Sequence, residues 1–208
     1  MKALVIGAGG VGTAIANIAT RREFITELVL ADRDFTRAEK AIKRFGDPRF
    51  RAAEVNAAEL ETIRELIRET TPDVVINAVD PRFVMPIFLA CEIENTNYMD
   101  MAMSLSRPHP HYPYTETGVK LGDEQFARDW NWSEKQIYAL IGMGVEPGMS
   151  DVFAKYASDH LFSRIDSITV LDGSNLIVEG YEFAPSFSIW TTIEECLNPP
   201  LVWEDGRG

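Results

Sequence analysis

The apolar run Ala3-Leu4-Val5-Ile6 passes directly into Gly7-Ala8-Gly9-Gly10-Val11-Gly12, and the glycines pass as directly into an amphipathic segment. A strand, a tight glycine turn and a helix N-terminus in that order leave few architectures open, because the helix must fold back onto the strand before it. Gly7 permits the tight turn, Gly9 lets the backbone approach a bound group, and Gly12 lets helix and strand pack closely. The first helical turn then aims unpaired N–H groups and a positive dipole end outward, which suits a pyrophosphate. Twenty positions after Gly12 stands Asp32, at the end of the next apolar run, where a carboxylate can accept hydrogen bonds from adenine-ribose hydroxyls. The pattern predicts NAD or NADP on a Rossmann-type turn, with Gly7, Ala8, Gly9, Gly10, Val11 and Gly12 around the phosphates. Asp32 favours NAD, since it would repel a 2′-phosphate; the adjacent Arg33 can pair with that phosphate if Asp32 turns away, or lie over the adenine, or stay solvated.

The first hundred residues continue the same alternation. Strand candidates are Ala3 to Ile6, Glu27 to Ala31, Phe50 to Val55, Val74 to Ile76 and Tyr98 to Asp100. Between them, Val11, Ile15 and Ile18, then Phe35, Ala38, Ile42 and Phe45, then Leu60, Ile63 and Ile67, then Val84, Ile87, Phe88 and Cys91 recur at helical spacing and predict faces packed on a parallel sheet. Asn56 with Glu59 predicts a capping box, and Asp80-Pro81 a capped first turn. At the end of the fourth strand, Asn77, Ala78 and Val79 belong beside the cofactor, with Asn77 on the nicotinamide ribose or amide or, alternatively, capping the next helix. Asn56, at the end of the third strand, joins the cofactor-binding set.

Ser104 to Gly122 holds Arg107-Pro108-His109-Pro110-His111-Tyr112-Pro113, and so many prolines predict a long exposed loop. His109 and His111 read as solvated, with no metal expected. Beyond the loop the pattern predicts an acidic helix over Asp123 to Trp132, a strand over Gln136 to Ile141, a glycine-proline turn, a helix from Met149 to Leu161 and a strand from Ile165 to Leu171. A short helical stretch, Thr191 to Leu197, stops at Pro199-Pro200. The expected class is α/β: a Rossmann-type doubly wound parallel sheet followed by an incomplete second α/β domain. Residues 1–122 form the NAD(P)-binding domain, and 123–208 hold its final elements and the beginning of a substrate or dimerisation domain.

With 46% hydrophobic and 25% charged residues, the 208-residue chain has the composition of a soluble globular protein, and no apolar run is long enough to span a bilayer. A formal net charge of −12 argues against nucleic acid, whose nonspecific binding depends on Lys and Arg neutralising phosphates. Cys91 and Cys196 lie far apart, each in an apparent helix, which suits small buried residues in a reducing compartment; the cytoplasm is expected.

At Gly142-Met143-Gly144-Val145-Glu146-Pro147-Gly148-Met149-Ser150-Asp151 the sequence resembles the saccharopine dehydrogenase family, with its saccharopine reductase, lysine dehydrogenase and carboxynorspermidine dehydrogenase branches. The glycine turn, Val74-Val75-Ile76-Asn77, Asn97-Tyr98-Met99-Asp100 and Phe187-Ser188-Ile189-Trp190-Thr191 extend the resemblance in order along nearly the whole chain. It departs from the saccharopine reductase branch at Ser150-Asp151, where that branch carries an Asp-His pair. The resemblance implies a Rossmann domain joined to a second α/β domain, and hydride transfer between nicotinamide and a carbon bonded to nitrogen. It also implies an amino-acid-like substrate, with Ser188 and Trp190 among the residues that meet it. Glu146-Pro147-Gly148 precedes a helix, so the N–H groups of Gly148, Met149 and Ser150 can bind a substrate carboxylate; the alternative is a plain helix start capped by Ser150 or Asp151. Asp100, Glu146 and Asp151 are the candidates for proton transfer at the C–N bond.

By the family pattern the second domain should continue beyond Gly208, so the sheet begun at Ile165 is expected to lack partners and to associate through its exposed edge, as in a homodimer, or Asp172 to Gly208 to be disordered. The function expected is that of an NAD(P)-dependent oxidoreductase acting on an amino acid or its adduct. The alternatives are a dinucleotide-binding module without turnover, or a Rossmann reductase acting on a carbonyl, although no Tyr-x-x-x-Lys pair stands in a suitable place.

Overall fold

Leu4 and Ile6 point to one side of their strand and Val5 to the other, and all three are fully buried, so the first strand must be covered on both faces. The structure, a computed structural model, describes residues 1–171, 173, 177–182, 189, 193, 196 and 197. Its first strand, β1 (Lys2–Ile6), lies inside a six-stranded parallel sheet with β2 (Glu27–Asp32), β3 (Phe50–Glu54), β4 (Val74–Asn77), β5 (Asn97–Asp100) and β6 (Ala139–Leu140). The strand order is β3-β2-β1-β4-β5-β6. The expected doubly wound sheet is therefore present, and its order reverses between β1 and β4.

Helices cover both faces. On one, α1 (Gly10–Ala19) and α2 (Phe35–Lys43) enclose Val5, Leu28, Leu30, Ala38 and Ile42; on the other, α3 (Leu60–Thr70) and α4 (Val84–Ile93) enclose Leu4, Ile6, Val29, Ile63, Ile67, Ile87 and Phe88. The expected faces of α3 and α4 are realised. That of α1 is not: Val11 and Ile18 are each 51% exposed, and Gly12, Ala16 and Ala19 are buried instead. Small residues let this helix come close to the sheet, and close approach rather than apolar bulk decides its buried side. Phe35 likewise stays exposed while Ala38, Ala41 and Ile42 of α2 are buried.

The Asn56 capping box does not form. α3 begins four residues later, Asn56 Oδ1 accepts from Ala58 N at 3.1 Å, and Asn56 Nδ2 donates to Glu59 Oε1 at 2.7 Å, so an Asx turn leads into the helix. Asp80 does cap, its side chain accepting from Arg82 N ahead of a 3-10 turn over Pro81–Phe83.

Beyond β5 the expected helix over Asp123 to Trp132 divides into α5 (Asp123–Phe126) and α6 (Asp129–Glu134). Separate anchors hold the two pieces. Gln125 bonds Asp100, whereas Arg128 and Asn131 bond the carboxylate of Glu92, which is only 4% exposed. Trp132 then packs on Phe88 at 4.7 Å between ring centroids, and Phe88 meets Tyr98 edge-on at 5.3 Å. The expected strand Gln136 to Ile141 contracts to Ala139–Leu140, because left-handed turns at Gln136 (φ 56°) and Gly142 (φ 67°) close on it from both sides.

The chain divides into two compact units, Met1–Leu105 with Gly122–Met149, and Ser106–Leu121 with Ser150–Gly208. In the second, the proline-rich segment is a loop as expected, closed by an antiparallel bridge between Arg107 and Val119. Helix α7 (Met149–His160) is followed by residues 165–171, which form no strand, contrary to expectation, and leave Ile168 and Leu171 exposed. The expectations for Ser188, Trp190 and most of Asp172 to Gly208 lie outside the described residues. Cys91 is buried, whereas Cys196 is exposed and so is not the buried residue expected. Among the described residues no helix is long and apolar enough to cross a membrane, and no group of three or more metal-ligating side chains occurs.

Candidate cofactor site

The register aligns the carboxyl ends of the strands: Ile6 pairs with Ala31 and Asn77, Asp32 with Glu54, and Asn77 with Asp100. The reversal of strand order falls between β1 and β4, where a doubly wound sheet opens a crevice at its carboxyl edge. Gly7 enters this crevice with φ 112°, its N–H donating to Ala31 O at 2.7 Å. A Cβ at Gly7 would lie 2.5 Å from Ala78 O, and one at Gly12 would overlap Gly7 O, so both positions are closed to side chains. Gly9 and Gly10 differ: a Cβ at either would meet nothing within 4 Å.

Gly9 is the N-cap of α1; no side chain caps this end, and no acidic residue stands in its first turn. The leading N–H groups of the helix have no partner within it, and the space beside Gly9 and Gly10 is open, which is what a pyrophosphate requires. A dinucleotide fits the residues present. Asp32 Oδ2 accepts from Ala8 N at 2.8 Å and Oδ1 from Asp34 N at 3.1 Å, fixing the carboxylate against the turn with lone pairs to spare. Arg33 is exposed and, with Glu54, Val55, Asn56 and Glu59, lines a groove of about 660 Å³ that extends along α3 to Glu65 and Glu69.

On the other side of the turn lies a smaller cavity of about 80 Å³, bounded by Val11, Asn77, Ala78, Val79, Val84, Asp100, Met101 and Ala102. Asn77 is buried there, donating through Nδ2 to Tyr98 Oη at 3.0 Å and accepting through Oδ1 from Val79 N at 3.1 Å. Asp100 is 1% exposed. Four groups donate to its carboxylate: Tyr98 Oη at 2.9 Å, Gln125 Nε2 at 2.8 Å, Met103 N at 3.1 Å and Gly142 N at 2.8 Å. Burial, with the Asp100 charge next in effect, holds the Tyr98 hydroxyl far above the ordinary phenol range, so it remains a donor.

A family model describing the saccharopine dehydrogenase NADP binding domain matches residues 3–140. The chain belongs to this family. Among curated family relatives, carboxynorspermidine synthase of Vibrio cholerae serotype O1 is 32% identical over 216 residues, covering 100% of this chain and 51% of that protein. Carboxyaminopropylagmatine dehydrogenase of Synechocystis sp. is 26% identical over 211 residues, covering 99% and 49%. The chain thus spans about half the length of the curated relatives it matches. Among solved structures, saccharopine dehydrogenase (L-Glu forming) from Saccharomyces cerevisiae superposes with a TM-score of 0.59 at 16% identity, covering 77% of this chain and 31% of that one, a likeness of fold.

The glycine-proline turn over residues 142–148 is built on close backbone contacts. A Cβ at Gly148 (φ 132°) would collide with Gly144 O, and one at Gly144 would lie 2.6 Å from Met101 O. Met149 N, expected to be available for a substrate carboxylate, already donates to Gly144 O at 3.0 Å. Glu146 is exposed on this turn; Asp151 is exposed and Ser150 half-buried at the start of α7. The structure thus brings Gly7, Ala8, Asp32, Asn77 and Asp100 to one sheet edge. Sequence reasoning missed Tyr98 and Gln125, which connect Asn77 and Asp100 into one network. The alternation in Asn97-Tyr98-Met99-Asp100 puts Tyr98 and Asp100 on the same strand face and was the available signal.

Proposed function

We propose that this chain is the nucleotide-binding part of an NAD(P)-dependent oxidoreductase that transfers hydride at a C–N bond of an amino acid or amino-acid adduct. The observation that carries the proposal is the Asp32–Ala8 contact beside a helix N-terminus left open by Gly9 and Gly10. A nicotinamide dinucleotide, when bound, supplies or takes up the hydride. The protein's own residues bind and orient: the first turn of α1 holds the pyrophosphate, Asp32 takes the ribose hydroxyls, and Asn77 to Val79 border the nicotinamide end. NAD is preferred, because Asp32 is fixed in place and Glu54 and Glu59 add negative charge around Arg33, where a 2′-phosphate would sit.

Of the three candidate carboxylates, Glu146 and Asp151 are open to solvent and suit proton exchange, whereas the occupied lone pairs of Asp100 suit a fixed positioning role. The names of the relatives favour an amino-acid-like or polyamine-like substrate, and the protein is expected to work in the cytoplasm, as a homodimer. Incubating the protein with NADH, an α-keto acid or aldehyde acid, and an amine tests the proposal. Substrate-dependent loss of NADH absorbance is expected; tight NADH binding with no turnover across the panel would reduce the chain to a binding module.

A further inference from the structure

Among the residues that bound the small cavity at the nicotinamide end, Asp100 carries the single formal charge. The groups that hydrogen-bond it, Tyr98, Gln125 and the N–H groups of Met103 and Gly142, are all uncharged. They satisfy the lone pairs of the carboxylate without cancelling its charge, and at 1% exposure little water screens it. The contrast with Glu92 is direct: that equally buried carboxylate is met by Arg128, with Lys135 bonded to its backbone carbonyl. A neutral cage around an anion preserves its field, and the cavity wall is where this field acts.

Resting on the cofactor reading above, we propose that Asp100 biases the site toward the oxidised, cationic nicotinamide, binding NAD⁺ more tightly relative to NADH than the same site would without its charge. The two ligands share the pyrophosphate, both riboses and the adenine, so α1 and Asp32 treat them alike. They differ by a hydride, whose departure leaves the ring with a positive charge, and only a group with net charge near the ring distinguishes them strongly. Asp100 is a positioning residue here: its oxygens are taken up by the cage, and it acts through space. The same bias makes the bound reduced cofactor a better hydride donor, because loss of hydride creates the charge that Asp100 favours.

The test is calorimetric titration of the full chain with NAD⁺ and with NADH, for wild type, Asp100→Asn and Tyr98→Phe. Asp100→Asn removes the charge at nearly constant shape and should weaken NAD⁺ about tenfold relative to NADH. Tyr98→Phe removes one neutral donor but keeps the charge, and should leave the ratio near its wild-type value even if both affinities fall. A purely structural role for Asp100 would weaken both ligands together, and an unchanged ratio in Asp100→Asn would overturn the proposal. Should that variant fail to fold, Asp100→Ser provides the same comparison with a smaller acceptor. Wild type binding neither ligand would refute the cofactor reading itself, whereas binding with an unmoved ratio would refute only the role of Asp100.

Discussion

The carboxylate of Asp32 accepts a hydrogen bond from the N–H of Ala8 at 2.8 Å, so the acid at the end of β2 and the glycine turn after β1 are one unit. Spacing in the sequence suggested two separate contributions, one to phosphate and one to ribose. Their direct contact fixes the carboxylate against the turn; on the proposed cofactor reading, this sets the acid in place before any ligand arrives and lowers the ordering cost of binding.

The two kinds of glycine in the turn should separate stability from binding. Gly12→Ala drives a methyl into the carbonyl of Gly7 and should cost about 2 kcal/mol or more. Gly9→Ala meets no protein atom, should cost less than about 1 kcal/mol, and should nevertheless weaken NADH because its methyl occupies the space left for phosphate. Urea midpoints and NADH titration of both variants check this; similar stability losses would count against the packing argument.

Glu92 anchors α6 to α4, and the Arg128 guanidinium beside it holds its carboxyl below the ordinary glutamate value of 4.5. A depressed folded value means the contribution is fully present above the unfolded value and disappears as pH falls through the folded one. Glu92→Gln should therefore cost about 1–2 kcal/mol near neutral pH, reduced from the fully buried case because Arg128 is partly exposed, and the difference from wild type should shrink in acid. Urea unfolding across this range measures both, and a difference that grew in acid would contradict the assignment.

Tyr98 bonds Asn77 and Asp100 at once, and all three residues are buried. Tyr98→Phe strands a buried amide donor and should lower stability by about 1–3 kcal/mol. Thermal melts would show it; a neutral substitution would mean that the network is dispensable.

Burial pushes the Cys91 thiol far above its usual range, while Cys196 is exposed. A thiol reagent should label Cys196 in the native protein and reach Cys91 only in denaturant. Labelling of Cys91 under native conditions would show that α4 opens readily.

The sheet was legible because its strands are short apolar runs between signals of high contrast, glycine at Gly7 and proline at Pro81. The faces of α3 and α4 followed the periodicity of Ile63, Ile67, Ile87 and Phe88 for the same reason. Periodicity failed on α1, where Gly12, Ala16 and Ala19 are buried and the larger Val11 and Ile18 are exposed, because hydrophobicity does not report how near a helix must come. The division between α5 and α6 depends on the contacts of Gln125 with Asp100 and of Arg128 with Glu92, both across long sequence separations that no local pattern encodes. The cage around Asp100 was hidden similarly, since Met103 and Gly142 contribute backbone N–H groups that carry no residue identity.

The most direct test of the account is titration of wild type and Asp32→Ala with NADH and NADPH. Wild type should bind NADH more tightly, and Asp32→Ala should weaken NADH about tenfold more than NADPH, since the variant loses a ribose acceptor but also a repulsion toward the 2′-phosphate. Equal loss of both cofactors, or a wild type that prefers NADPH, would contradict the role assigned to Asp32 and with it the reading of the turn it is bonded to.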